Sequence, residues 1–437
     1  RYVGAVAASG AVLAQESRWL NAVSVSATPE QLSALSALPF VTRVVPVRSG
    51  RLDLPAETPV TPGEFGSRDL YGHSGPQLRQ IGVPALHDRG FDGDGVVIGI
   101  LDTGFVTTHV AFQGLQIVAA HDFVNHDDNV GIEPGDHPDQ HRHGTWILGC
   151  IGSYWPEVLV GGAYRASFVL CKTEDVASET PVEEDNYVAG LEFAEAHGAD
   201  VCTSSLGYID WYTQADLDGR TAVTTVAVNV ATSNGVVCVT AAGNEGHDGD
   251  PTTSHLIAPA DALEVITCGA VDEFGNIAGF SSDGPTADGR VKPEVLARGV
   301  GTLTVSSGDN AGLAQVSGTS LSTPLVASAM ACLVQGEPCL SVTQLRSRVF
   351  DAAARHGLAD PLRVEGYGIL DADASRPIDS GCDFNGDGFL DFFDYDSYVA
   401  CFEGQGCPCG KTADFNGDDF VDFFDYDAFV DAFQNGC

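Results

Sequence analysis

The chain has 437 residues, 44% of them hydrophobic and 19% charged, which is enough to build a large core and two or three folding units. Sixty acidic residues against 21 basic ones give a formal net charge of −39, and this charge excludes binding to nucleic acid or to an anionic membrane surface. The acidic, lysine-poor composition suits an exported, extracellular protein, and no run reaches the eighteen or so apolar residues that a membrane span needs. The start at Arg1 leads us to expect that an upstream segment has been removed.

Residues 1–47 form the first predicted unit. A strand precedes a helix that begins near Pro29, and a second strand of alternating character follows, which predicts a small α+β module. Residues 48–76 then lose apolar periodicity and carry Pro55, Pro59 and Pro62. We therefore expect an exposed linker there, of the kind that proteases cut.

From residue 77 to residue 376, short β-rich runs alternate with helical patterns. This alternation predicts an α/β fold with a doubly wound, mainly parallel sheet that carries helices on both faces. In such sheets the functional residues collect at the carboxyl ends of the strands. Four cysteines within the apolar runs are expected to be buried free thiols: Cys171, Cys202, Cys238 and Cys268.

Residues 382–437 contain a duplication, because two similar segments begin at Asp383 and Asp414, offset by 31 residues (414 − 383). The pattern predicts a small all-α module, in which crowded cysteines would supply a disulfide staple of unknown pairing. Oxygen donors recur at positions 1, 3, 5, 7, 9 and 12 of a calcium loop in each copy, position 7 through its carbonyl. The predicted Ca²⁺ ligands are Asp383, Asn385, Asp387, Phe389, Asp391 and Asp394 in the first copy, and Asp414, Asn416, Asp418, Phe420, Asp422 and Asp425 in the second.

Three short motifs of the main unit could carry chemistry together. Asp102 ends an apolar strand in GILDTG, His143 begins HGTWILG, and Ser320 lies in SGTSLSTP before a helix. A serine hydroxyl needs an imidazole to take its proton, and the imidazole needs a carboxylate to orient it, so the three together suit acyl transfer. Asn244 in AAGNEG follows a strand and could donate to an oxyanion together with the Ser320 backbone N–H.

These motifs, with SSLG, FSSDGPT and GRVKPEVLARG in the same order, resemble the subtilisin-like serine proteases, the subtilase family, over residues 77–374. The resemblance implies that Asp102 orients the imidazole, His143 is the general base and acid, Ser320 is the nucleophile and Asn244 is the oxyanion donor. It also implies a substrate edge and a pocket wall. The edge would be formed by Ser205, Leu206 and Gly207, and the wall by Ala242 and Gly243.

The histidines of DHPDQHRHG allow a competing reading as metal ligands. His143 already belongs to the HGT motif, and no cysteine or glutamate motif accompanies the group, which disfavours zinc. We therefore expect His137 and His141 to lie on a surface loop beside the cleft.

Both ends of the chain resemble known modules. Residues 10–47 resemble the carboxyl-terminal part of the inhibitory subtilase prodomain, although an ordinary α+β packing module is an alternative. The tail resembles dockerin and EF-hand repeats, except that Asp419 replaces the turn glycine in the second loop. Its paired phenylalanines disfavour a cohesin partner and are expected to pack the helices together, or to pack against the protease domain or a cell-surface component: Phe392, Phe393, Phe423 and Phe424.

The sequence thus predicts a secreted, calcium-binding serine endopeptidase of broad specificity. Its partners would be protein or peptide substrates, its own prodomain as inhibitor, and a cell-surface or scaffold component for the tail; no heptad pattern demands more than a monomer. Two alternatives remain open: an inactive surface-attached scaffold or binding module, and an enzyme that uses its acyl chemistry once, for self-processing.

Overall fold

A computed structural model describes residues 2–47, 55–60, 69–176, 183–355, 357–375, 382–386, 390–408, 410–418 and 420–435. In these ranges no helix is long and apolar enough to cross a membrane. Asp387 and Phe389, two of the predicted calcium ligands, lie outside the described residues, as does Asp419.

The first unit is a hairpin flanked by two helices. Helix α1 (Tyr2–Ala7) precedes the antiparallel pair β1 (Val12–Ser17) and β2 (Ala22–Ser26), and helix α2 (Pro29–Ser36) follows. Thr28 caps α2, accepting a hydrogen bond from the Gln31 N–H. The predicted second strand after the helix is wrong: residues 41–47 are irregular and mostly exposed, and β1 pairs with β2.

A seven-stranded parallel sheet forms the centre of the main unit. Its strands are β4 (Val97–Asp102), β5 (Gln116–Asp122), β8 (Ser167–Lys172), β9 (Val201–Ser204), β10 (Val237–Ala241), β11 (Ile266–Val271) and β12 (Val295–Arg298). Their order across the sheet is β12-β11-β10-β9-β4-β8-β5, and each neighbouring pair is parallel. Because both faces are covered, the inner strands are buried along almost their whole length, as their unbroken apolar runs indicate.

Helices cover both faces of this sheet, which confirms the doubly wound α/β prediction. Helices α5 (Arg142–Gly152) and α8 (Thr319–Gly336) pack against each other and share the larger apolar core with one sheet face. Helices α6 (Glu183–Ala196) and α7 (Val223–Ser233) share a second core with the other face, and the four predicted thiols are free and buried. The remaining helices of the unit are α3 (Gly75–Gln80), α4 (Val83–His87) and α9 (Val342–Ala352).

Residues 55–60 of the predicted linker contain a strand. Strand β3 (Thr58–Val60) pairs antiparallel with β14 (Leu313–Val316), which also pairs with β13 (Thr302–Val305). The Glu57 carboxylate accepts hydrogen bonds from Trp146 Nε1 at 3.0 Å and from Ser306 Oγ at 2.6 Å. This stretch therefore adds an edge strand to the main unit, and two of the three residues of the strand are exposed. A small hairpin joins β6 (Tyr154–Trp155) to β7 (Leu159–Val160).

The tail contains helices α10 (Phe392–Phe402) and α11 (Phe423–Asn435), as the duplication predicts. Their contact is aromatic, with the rings of Tyr398 and Phe429 stacked at a centroid distance of 3.9 Å, and Cys401 is bonded to Cys407. The paired phenylalanines do not pack between the helices, because their exposed fractions lie between 65% and 70%: Phe392, Phe393, Phe423 and Phe424.

Candidate active site

Asp102 is the last residue of β4, at the carboxyl edge of the sheet. Its side chain is fully buried, and its Oδ1 accepts a hydrogen bond from the Thr103 N–H at 2.7 Å. Its backbone carbonyl accepts a further bond from the Thr173 N–H at 2.9 Å. The carboxylate is therefore held on a rigid strand. On a loop it would be mobile.

His143 lies in the first turn of α5 and faces this carboxylate. Its Nδ1 is 2.8 Å from Asp102 Oδ1 and 3.0 Å from Oδ2, and both side chains are buried. Next to it, a Cβ on Gly144 would collide with the Gly104 carbonyl and lie 3.0 Å from the Asp102 Cβ. The glycine of the HGT motif is what lets the helix come this close to the strand. With Nδ1 directed at a carboxylate, Nε2 is the nitrogen able to accept a proton.

Ser320 lies at the start of α8, next to Ser205, the residue that follows β9. Its hydroxyl donates a hydrogen bond to the Ser205 carbonyl at 3.2 Å, and the Ser205 hydroxyl donates to the Ser320 carbonyl at 2.9 Å. Ser320 is 6% exposed, so its oxygen is sheltered but still reached by solvent. The packing of α5 against α8 brings the helices of His143 and Ser320 together.

Asn244 follows β10 and is exposed. Its Oδ1 accepts hydrogen bonds from the Thr319 N–H at 2.9 Å and from the Thr319 hydroxyl at 3.1 Å. These two bonds fix the orientation of the amide and leave its NH₂ group turned away from Thr319. An amide held in this way can donate to a negative charge that develops beside Ser320.

The predicted substrate edge and pocket wall lie at the ends of β9 and β10. Ser205 and Leu206 are buried, and Gly207 leads into Tyr208, which exchanges two backbone hydrogen bonds with Ala258. Ala242 is fully buried beside Gly243, whose φ is +118°. Since both strand ends reach the carboxyl edge that holds Asp102, the structure gathers these residues at one side of the sheet.

The sequence analysis missed a buried charge network next to Asp102. Lys172 pairs with Asp102 across the strand register, and its ammonium contacts Asp122 at 2.7 Å and Asp136 at 2.8 Å. Burial alone would lower the pKa of Lys172, but its two carboxylate partners outweigh this and raise it. Burial alone would raise the pKa of Asp136, but hydrogen bonds from Lys172, Asn125 and the Glu133 backbone outweigh this and lower it. One of only three lysines in the chain, at the end of an apolar strand, was the available signal.

The loop from Asp122 to Asp136 contains three carboxylates close enough together to hold a metal ion. Among the described residues this is the one such group, and its ligand atoms lie within 4.8 Å of one another: Asp122, Asp127 and Glu133. Asn125 Nδ2 donates to Asp122, Glu133 and Asp136. The loop is therefore already bridged by an amide and an ammonium. Near it, His137 is exposed and His141 half-buried, and burial lowers the pKa of His141.

A cluster of glutamates lies under the substrate edge. Glu174 accepts a hydrogen bond from the Tyr208 hydroxyl, and its burial, followed by repulsion from Glu183, raises its pKa well above the ordinary value. Glu184 accepts from Tyr212 Oη at 2.8 Å and Trp211 Nε1 at 3.1 Å. Burial raises the pKa of Glu184 to about 7 despite these donors.

The first unit contacts the main unit through α6. Gln15 Nε2 donates to Asn186 Oδ1 at 2.8 Å, and the backbone N–H groups of Arg18 and Trp19 donate to the Glu192 carboxylate at 3.2 and 3.3 Å. One carboxylate thus receives the turn that joins β1 to β2.

The tail loops close in the same way in both copies. Asp394 accepts from the N–H groups of Asn385 at 3.1 Å and Asp391 at 2.9 Å. Asp425 accepts from those of Asn416 at 3.1 Å and Asp422 at 2.8 Å. The predicted metal ligands are oxygen atoms, which Ca²⁺ prefers. The described tail carboxylates, however, do not bring three ligand atoms within 4.8 Å of one another.

Comparison with known proteins gives a consistent result. A profile of the subtilase family of peptidase S8 matches residues 93–368, and one of the peptidase S8 propeptide domain of Bacteroidota matches residues 1–58. Subtilisin E of Bacillus subtilis (strain 168) is 32% identical over 289 residues, 66% of this chain and 68% of that protein. Subtilisin Savinase of Lederbergia lenta is 30% identical over 301 residues, 68% of this chain and 97% of that protein.

One solved structure, that of fervidolysin from Fervidobacterium pennivorans, described as a keratinolytic enzyme related to subtilisin, has the same fold. The TM-score is 0.62 at 23% identity, and the match covers 85% of this chain and 59% of that one.

Proposed function

Because the chain belongs to the subtilase family of serine endopeptidases, we propose that it hydrolyses peptide bonds of proteins through Asp102, His143 and Ser320. The observation that carries the proposal is the buried hydrogen bond between His143 Nδ1 and the Asp102 carboxylate, 2.8 Å long. A carboxylate in this position stabilises the imidazolium that forms when the ring takes a proton from a hydroxyl.

The reaction then follows from the roles of the four groups. His143 Nε2 takes the Ser320 proton while Ser320 Oγ attacks the scissile carbonyl, and the resulting oxyanion accepts hydrogen bonds from the Asn244 NH₂ and the Ser320 N–H. His143 returns the proton to the leaving amine. Water, deprotonated by the same ring, hydrolyses the acyl-enzyme and restores Ser320.

Substrate backbone would extend along Ser205, Leu206 and Gly207, with Ala242 and Gly243 beside the side chain at the scissile bond. Main-chain pairing of this kind does not read side chains, so it supports broad specificity at most subsites. The mechanism requires a neutral His143 ring, because a protonated imidazole cannot accept the Ser320 proton.

The test compares the chain with its Ser320→Ala variant for fluorophosphonate labelling, hydrolysis of unfolded casein and cleavage of the prodomain. Ser317→Ala, an exposed serine three residues earlier, is the matched control. We expect Ser320→Ala to lose all three activities and Ser317→Ala to keep them. An inactive scaffold would show no labelling in the unchanged chain, and a self-processing enzyme would cleave its prodomain without turning over casein.

We infer that residues 1–47 act as the chain's own inhibitor, with residues 48–76 as the region of cleavage before the catalytic unit 77–376. The contact of the β1–β2 turn with Glu192 supports this role, because it anchors the unit on helix α6 of the catalytic unit. Such a maturing protease suits a secreted, extracellular bacterial protein.

For the tail, residues 382–437, we propose Ca²⁺ binding by the two loops and attachment to a cell-surface or scaffold component. The support is the repeated donor spacing and the identical closure by Asp394 and Asp425. The carboxylates would have to draw together around the ion. Titration with Ca²⁺ should raise helicity and protect the tail from added chymotrypsin, which cleaves after its many phenylalanines and tyrosines. An Asp394→Asn, Asp425→Asn double variant should respond less. Identical traces with and without Ca²⁺ would contradict the assignment.

A further inference from the structure

A short segment crosses between the proposed substrate edge and the proposed pocket wall. The Ile257 N–H donates to the Ala242 carbonyl at 3.2 Å on the wall side. On the edge side, Ala258 and Tyr208 exchange backbone hydrogen bonds of 2.8 and 3.0 Å. The segment is therefore tied to both β9 and β10 just beyond the points where substrate would bind.

The Ile257 side chain stands in the space between these two walls. A Cβ placed on Gly207 would lie only 2.5 Å from Ile257 Cγ1, and one placed on Gly243 would lie 3.2 Å from Ile257 Cγ2. The branched side chain thus contacts the backbone of both walls at once. It remains partly exposed, so it borders open space and is not sealed in the core.

The neighbouring residues hold Ile257 in this place. The His255 N–H donates to the Asp283 carbonyl at 3.1 Å, and His255 Nδ1 is 2.6 Å from the fully buried Asp283 carboxylate. On the other side of the segment, the Ala260 N–H donates to the Ile257 carbonyl at 2.9 Å. Moving the backbone of the segment would break several of these bonds, so the Cα of Ile257 is fixed between the two walls and only a change of side-chain rotamer could move its methyl groups.

The position of Ile257 matters because a substrate side chain would have to enter the same space. For Ser320 to attack a carbonyl whose oxygen faces Asn244, the residue that owns this carbonyl must project its side chain between the Ser205–Gly207 edge and the Ala242–Gly243 wall. We propose that Ile257 closes this pocket, so that the enzyme cleaves after small residues, glycine, alanine and serine, and rejects large aromatic ones. This inference rests on the proposed function and adds the substrate class to it.

The experiment uses the full chain after self-processing and two peptide p-nitroanilides that differ only in alanine or phenylalanine before the scissile bond. We expect kcat/KM of the alanine peptide to be at least about tenfold higher. The Ile257→Ala variant should raise kcat/KM of the phenylalanine peptide by at least about tenfold and change that of the alanine peptide far less. Ile117 is a partly exposed isoleucine on the edge strand β5, and Ile117→Ala should change kcat/KM of neither peptide.

The outcomes separate the two proposals, because fluorophosphonate titration counts active sites independently of specificity. A labelled enzyme that favours the phenylalanine peptide, or whose preference survives Ile257→Ala, overturns the pocket inference and leaves the proposed function standing. Failure of the unchanged chain to label and to cleave either peptide overturns the proposed function and the inference with it. Should Ile257→Ala not fold, Ile257→Val removes one methyl group and should shift the ratio in the same direction.

Discussion

Ser205 and Ser320 exchange hydrogen bonds: each hydroxyl donates to the backbone carbonyl of the other residue, at 2.9 and 3.2 Å. The first residue of the proposed substrate edge is thus joined to the proposed nucleophile. For catalysis the Ser320 hydroxyl must leave the Ser205 carbonyl and turn to His143. The bond from Ser205 Oγ need not change, and it can hold the start of α8 in register while this happens.

Removal of that donor should slow catalysis without harming the fold. We expect Ser205→Ala to lower kcat by about two- to tenfold, the equivalent of one hydrogen bond of about 0.5–1.5 kcal/mol. Steady-state kinetics normalised to active sites, with thermal unfolding as the control, measure this. An unchanged kcat would mean that the bond does not position Ser320.

Truncation of the oxyanion donor should have a much larger effect. Asn244→Ala removes the NH₂ group that Thr319 orients, and we expect kcat to fall by ~10²–10³-fold with little change in KM, the size of effect known for the oxyanion asparagine of subtilisin, a member of this family. Thr319→Val should give a smaller loss, since it removes only one of the two bonds to Asn244. A raised KM with unchanged kcat would instead indicate a role in substrate binding.

Loss of the buried ammonium should destabilise the main unit. In a Ser320→Ala background, which prevents self-digestion, we expect Lys172→Met to cost about 3–5 kcal/mol of unfolding free energy, because it leaves Asp122 buried without its partner. Lys411→Met in the tail is the matched control and should cost under about 0.5 kcal/mol.

The acid side gives a second measure of the same network. The pKa of Asp136 is lowered in the folded protein, so its contribution is present above its unfolded pKa and is lost as the pH falls through the folded value. The difference between the unchanged chain and Lys172→Met should therefore shrink in acid. A difference independent of pH would contradict the assigned pairing.

The opposite sign applies to Glu184. Its pKa is raised from 4.5 to about 7 chiefly by burial, so the folded state keeps a proton that the unfolded chain gives up, and stability falls as the pH rises through this range. We expect Glu184→Gln to be more stable than the unchanged chain by about 3 kcal/mol at pH 8 and equally stable at pH 4. Glu195→Gln, on the same helix, should show no such gain in denaturant titrations.

Local patterns in the sequence were enough to predict the central sheet. The unbroken apolar runs predicted parallel strands, as the structure confirms. The motifs DTG and HGT singled out Asp102 and His143, and in the structure Asp102 Oδ1 lies 2.8 Å from His143 Nδ1. Features that depend on pairing between distant segments were not predicted. Lys172 and Asp122 end two different strands, with helix α5 and the β6–β7 hairpin between them in the chain. Strand β3 pairs with a hairpin that begins more than two hundred residues later. Neither contact therefore leaves a local pattern in the sequence. The prediction that the paired phenylalanines pack the tail helices together was wrong for another reason. Hydrophobicity predicts that a side chain is buried, but it does not tell whether it is buried within this chain or against another molecule.

The position of Lys172 also decides how its corner of the molecule responds to the medium. Carboxylates crowded into one loop repel one another unless a positive charge lies among them. Here the neutralising charge is covalently part of the chain, so a chelator cannot extract it and dilution cannot deplete it. The geometry behind Asp102 should therefore be the same in fresh water and in brine.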